Sequence, residues 1–148
     1  MINIKHLKNK IHILLYVMLN IWNETKKKVQ KTKPSFKEKH SFEKRQEESS
    51  RILTKYPERI PVIIEKDVRA LDVPDIDRIK YLVPNDLSFS QLIYIIRKRI
   101  NISAEKSLFF FVNNSLVPFS HLISQIYDEH KDKDGFLYIV YNTESTFG

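Results

Sequence analysis

No cysteine occurs among the 148 residues, and glycine and alanine occur only twice each. The lack of cysteine excludes disulfides, zinc–thiolate sites and a cysteine nucleophile, and it fits a reducing compartment. Two glycines, Gly135 and Gly148, cannot build a G-x-G-x-x-G turn or a phosphate-cradling loop, so nucleotide sites of those kinds are excluded. The five histidines (His6, His12, His40, His121 and His130) lack H-E-x-x-H spacing, and no metal site or cofactor is expected. Glu47–Glu48 and Asp128–Glu129 are neighbours on helical segments, so they point different ways and belong to solvated faces. No catalytic group is legible. The expectation is a binding protein or modifier rather than an enzyme.

The net charge of +7 invites a nucleic-acid reading, but its distribution opposes one. Residues 1–40 hold ten lysines against Glu24 and Glu38, whereas residues 41–148 hold 15 basic and 16 acidic side chains. A nucleic-acid-binding domain carries its positive potential on the folded surface. Here the basic character belongs to a leader, and no nucleic-acid partner is expected.

That leader, residues 1–34, has a basic start and an apolar stretch from Ile11 to Trp22. A secretory signal would add a small-residue cleavage site, but the only alanines are Ala70 and Ala104. As a helix the stretch would span roughly 18 Å, short of a hydrocarbon core of about 30 Å. It is compatible with an uncleaved anchor, part of a bipartite targeting signal, an amphipathic membrane-surface segment or an untranslated upstream stretch. Residues 23–34, closed by Pro34, read as a polar basic linker, and the leader as disordered or targeting.

From residue 35 to 148 the periodicities describe one domain, and with 42% hydrophobic residues the chain can fold. "SFEKRQEESSRILTKY" reads as a helix with Phe42, Ser49, Ile52, Leu53 and Tyr56 on one face, ended by Pro57. "RIPVIIEK" reads as a strand in which Pro61 calls for an edge position or a strand start. "IKYLVP" follows as a second strand. In "SFSQLIYIIRKRI" Ser88 and Gln91 have capping-box spacing, and Phe89, Leu92, Ile93, Ile96 and Ile100 form the apolar stripe. "SLFFFVNN" reads as a strand with an Asn-Asn turn, "HLISQIYDEH" as a short helix, and "KDKDG" as a turn. "FLYIVY", apolar on both faces, suits a central strand. A hairpin, a crossing helix and a final central strand make an α+β, ubiquitin-like β-grasp with an added N-terminal helical segment.

Taken together, "FEKRQEES", "YPERIPVIIEK", "DRIKYLVPNDLSFSQLIYIIRKRI", "LFFFVNN" and "IYDEHKDKDGFLYIVYNTESTFG" closely resemble the GABARAP-like ubiquitin-fold modifiers of the autophagy-related protein 8 family. The likeness runs from about Ser35 to Gly148. It implies that Gly148 is the reactive position, its carboxylate activated by ubiquitin-like activating and conjugating enzymes and joined to phosphatidylethanolamine. It also implies a role in autophagosome formation, in the cytoplasm and on autophagosome or vesicle membranes. Some protist relatives serve a plastid-derived organelle instead or as well, and an unconjugated trafficking adaptor is the alternative. Departures from the family pattern are Leu92 in place of a frequent Phe, a residue added within 67–75, Ser41 in place of a common Pro, and the leader.

The resemblance further implies that proteins bearing aromatic-x-x-aliphatic motifs add a strand beside "IKYLVP". Their aromatic residue would meet Glu48, Ile52, Pro61, Ile63, Lys80, Leu82 and Phe136. Their aliphatic residue would meet Tyr81, Val83, Pro84, Leu87, Leu92, Ile95 and Arg99. Strand alternation agrees with the split, since Lys80 and Leu82 point opposite to Tyr81 and Val83. Arg59 and Arg78 would meet acidic residues flanking the motif. Phe109 and Phe111 share a strand face: exposed, they would contact the conjugation machinery, and buried, they are core.

Overall fold

The computed structural model of the chain describes residues 3–28 and 33–143, which fall into two units, residues 1–33 and residues 34–148. The first contains one helix, α1 (Ile4–Lys28). With no proline or glycine between residues 4 and 28 nothing breaks it, so residues 23–28 continue the helix rather than begin the linker read from their polarity. Among the described residues no helix is long and apolar enough to cross a membrane.

The second unit runs α2 (Phe36–Lys39), α3 (Phe42–Lys55), β1 (Arg59–Lys66), β2 (Lys80–Pro84), α4 (Phe89–Ile100), β3 (Phe109–Val112), α5 (Ile123–His130) and β4 (Leu137–Asn142). The sheet order is β2-β1-β4-β3, with β1 antiparallel to β2 but parallel to β4, and β3 antiparallel to β4. This is the α+β β-grasp, with its last strand in the middle.

β1 is therefore an interior strand. Pro61 is tolerated there because pairing with β4 begins only at Val62, so no ladder bond awaits the missing N–H. Alternation along β1 feeds two clusters. Ile60, Val62 and Ile64 join Phe89, Leu92, Ile96, Ile100, Leu137, Ile139 and Tyr141 in the main core under α4 and α5. Ile63 joins Phe36 and Phe136 in a smaller cluster on the opposite face, with Ile52 and Tyr138 against it.

Local signals explain the boundaries. The Ser88 hydroxyl accepts from the Gln91 N–H (3.3 Å) and the Ser88 N–H donates to the Gln91 side chain (2.9 Å), which completes the capping box of α4. Asn101 ends that helix in the left-handed conformation (φ 54°). Asn113 and Asn114 (φ 49° and 60°) form the expected two-residue turn. Ser41 caps α3 by accepting from the Lys44 N–H.

The face of α3 that packs inward keeps Ser49, Ile52 and Leu53 of the expected set, but Phe42 and Tyr56 are exposed and Arg45 is buried beside Ser49. The cause is a polar network around Asp134. Its carboxylate receives the Arg45 guanidinium, the Tyr138 hydroxyl and the Phe136 N–H (2.9 Å), and its backbone carbonyl receives the Ser49 hydroxyl. Gly135 turns the chain there with φ +90°, and a Cβ on it would run into the Ser49 hydroxyl.

Candidate functional site

β2 is an outer strand of the sheet, and among the described residues it pairs with β1 alone. Its register sets Val62 opposite Tyr81 and Pro61 opposite Leu82, and the Ile64 N–H donates to the Ile79 carbonyl (2.8 Å). Antiparallel pairs alternate between bonded and non-bonded. Residues 79, 81 and 83 thus spend their backbone groups on β1, whereas Lys80 and Leu82 direct theirs to the open edge. That edge is a template for one more strand. The Arg59 guanidinium reaches the Leu82 carbonyl at a weak 3.4 Å, so an incoming strand would have to displace it.

Seven residues of the aromatic group gather on the α3 face. Ile63 and Phe136 are wholly buried and Pro61 is buried, so these three form a floor rather than a lining. Leu82 is 38% exposed at the edge. Lys80 pairs with Glu48 and holds its ammonium 5.4 Å from the centre of the Phe36 ring. Phe36 itself was missed in the sequence. It packs edge-on to Phe136 at 5.3 Å, and Glu65 accepts its N–H at 2.7 Å. The signal existed: Ser35-Phe36-Lys37-Glu38 is a capping box, with Ser35 accepting from the Glu38 N–H and Glu38 accepting from the Ser35 N–H (2.6 Å).

The aliphatic group gathers on the α4 face with one exception, Pro84. Val83 and Leu92 are core, Tyr81 and Leu87 are half-buried, and Ile95 is 43% exposed. Core packing alone would have hidden Ile95; its exposure makes it the accessible aliphatic residue of this group on α4. Pro84 has the strand parity of Lys80 and Leu82, opposite to the rest of its group. Arg99 sits with its guanidinium 5.8 Å from the Tyr81 ring centre and pairs with Asp77 at 3.3 Å, so it is already engaged. Arg59 and Arg78 are exposed.

Tyr81 carries the one buried side-chain polar atom without a hydrogen-bond partner among the described residues, its hydroxyl. Burial pushes its pKa up, partly opposed by the Arg99 cation. An unpaired buried hydroxyl costs stability. Tyr81→Phe should therefore raise unfolding free energy by about 1 kcal/mol in urea melts. A loss of that size would mean that the hydroxyl has a partner in solution.

On the far edge, Phe109 is half-buried and Phe111 is 5% exposed. Phe111 therefore belongs to the buried alternative. It lines a hollow of about 270 Å³ with Ser35, Lys37, Asn113 and Tyr138, while Phe109 keeps partial access. Among the described residues no cluster of His, Cys, Asp and Glu is arranged to hold a metal. Gly148, the expected attachment point, lies outside the described residues.

A family model described as autophagy protein Atg8, ubiquitin-like, matches residues 44–148. Autophagy-related protein 8c of Arabidopsis thaliana is 59% identical over 114 residues, covering 77% of this chain and 95% of its own. Autophagy-related protein 8 of Scheffersomyces stipitis is 57% identical over 113 residues, covering 76% of this chain and 81% of its own. The Candida glabrata protein of the same name is 55% identical over 116 residues, covering 78% and 98%. With a match across most of the folded unit, and the sheet order of a β-grasp beneath it, the chain belongs to the Atg8 family of ubiquitin-like, autophagy-related proteins.

Proposed function

We propose that this chain is a non-enzymatic modifier whose β2 edge docks short linear motifs while Gly148 joins it to phosphatidylethanolamine on autophagosome or vesicle membranes. The observation that carries the docking half is the open edge of β2, with Leu82 and Lys80 on one face and Tyr81 and Val83 on the other. An extended peptide adds a strand to Lys80 and Leu82 and sends alternate side chains to either face. Its aromatic residue enters above Pro61, Ile63 and Phe136, beside Leu82 and the Lys80–Glu48 pair. Its aliphatic residue meets Ile95, Leu87 and the Tyr81 ring. Arg59 and Arg78 meet acidic flanks.

The conjugation half is supported by family membership and by a family match that continues through residue 148. A carboxylate is a poor electrophile and requires adenylation, then transfer to a thioester, before an amine can attack. This chain has no cysteine, so the thioesters form on partner enzymes. Phe109 is the half-buried residue proposed to touch them.

The docking test uses the two exposed apolar residues. Leu82→Ala with Ile95→Ala should weaken binding of an aromatic-x-x-aliphatic peptide by roughly thirtyfold or more. Because both are surface residues, stability should change by less than about 1 kcal/mol. Titration calorimetry reads the first effect and urea melts the second. Undiminished binding by the folded double variant would remove the groove from this edge.

A further inference from the structure

We infer that α1 is a second, non-covalent membrane device: a helix that lies in the surface of an anionic bilayer, independent of conjugation through Gly148. Ile4, Leu7, Ile11, Leu14 and Met18 recur at alternating steps of three and four, which puts them on one side of the helix with Leu15 beside them. Ile11, Leu14, Leu15 and Met18 are 51%, 61%, 54% and 66% exposed. So continuous a strip left to water calls for a covering partner.

Charge says which partner. At 3.6 residues per turn Lys8 and Lys10 border the strip on either side, and Lys5 follows on the polar flank. No acidic residue precedes Glu24, and the sequence continues with lysines at 26, 27, 28, 31 and 33. Lysines at the rim of an apolar strip bury their stems and hold their ammonium groups at headgroup level. A second copy of this chain would meet the strip with the same lysines, bringing like charges together. An anionic surface would neutralise them. Residues between Ile11 and Trp22 that lie off the strip include Ile13, Tyr16 and Val17, and tyrosine is at home in the interface. At roughly 18 Å that stretch is too short to cross a core of about 30 Å, so it lies along the surface.

The experiment uses the full, unconjugated chain, without activating enzymes, and vesicles that contain no phosphatidylethanolamine. Its outcome is therefore independent of the conjugation proposal. Flotation compares phosphatidylcholine vesicles with vesicles of phosphatidylcholine and phosphatidylserine, at low and high salt. The chain should float with the phosphatidylserine vesicles at low salt and detach as salt rises. Lys5→Gln, Lys8→Gln and Lys10→Gln together should weaken that binding on the order of a hundredfold. Leu14→Ser with Met18→Ser should abolish it, while the melting of the separate folded unit stays unchanged. Binding retained by the Leu14/Met18 variant would overturn the inference. So would a full chain that sediments as a dimer and ignores vesicles, which would make a second copy the occupant.

Discussion

Asp134→Ala should destabilise the folded unit by about 3–5 kcal/mol. Asp134 is fully buried, and its pair with the largely buried Arg45 is the most enclosed ion pair among the described residues. Removing the carboxylate leaves a guanidinium without its counter-charge and leaves the Tyr138 hydroxyl and Phe136 N–H without an acceptor. A buried charge that has lost its partner costs far more than the pair contributed. The Tyr138 pKa is already pushed up by burial and by the neighbouring Asp134 carboxylate, as expected for a phenol that donates to a carboxylate. Adding Arg45→Met should restore part of the loss, because no charge then stays behind. Urea melts of the two variants measure both effects; equal instability of the single and double variants would mean that the network matters for shape alone. The effect should reach the groove as well. Arg45 and Ser49 fasten α3 to the turn before β4, and α3 carries Glu48 and Ile52 over Phe136.

Deleting Gly148 should abolish the lipid-bound form altogether, without changing melting or peptide affinity. The described core closes with Tyr141 and Asn142 on β4, upstream of the deleted residue. Glycine suits the reacting position because it has no Cβ to crowd the carbonyl under attack or to stiffen the tether. Gly148→Ala should accordingly slow conjugation rather than stop it. The comparison belongs in a reconstituted reaction with family activating and conjugating enzymes and phosphatidylethanolamine vesicles, washed in high salt to strip attachment through α1. Lipid conjugation persisting in the deletion variant would move the attachment point elsewhere.

Much of this architecture was written in simple periodicities. The α4 stripe, its Ser88 cap, the Asn113-Asn114 turn and the doubly apolar β4 each follow from spacing that a single segment contains. What escaped depended on partners far along the chain. Arg45 entered no apolar pattern, and the buried partner of Ser49 stayed hidden, because nothing near them discloses Asp134, 89 and 85 positions away. Phe36 entered no sequence pattern because its helix has four residues, too few for any period to show. Pro61 implied an edge position or a strand start for β1; the strand is interior, and it holds Pro61 near its start, where pairing with β4 has not begun. In the candidate site, alternation along β2 was enough to divide Lys80 and Leu82 from Tyr81 and Val83. It could not separate floor from lining: Ile63, Leu92 and Phe136 are sealed, while Ile95 and Leu82 reach solvent. Nor could it reveal that Arg99 is committed to Asp77, or that the Tyr81 hydroxyl finds no partner among the described residues.

Fragment mass spectrometry of the chain from the membrane fraction of its native cells, washed in high salt, tests the central proposal most directly. The account predicts a C-terminal peptide that ends at Gly148 and carries phosphatidylethanolamine through an amide to its carboxyl group. Membrane-retained chains in which Gly148 bears no lipid would contradict it.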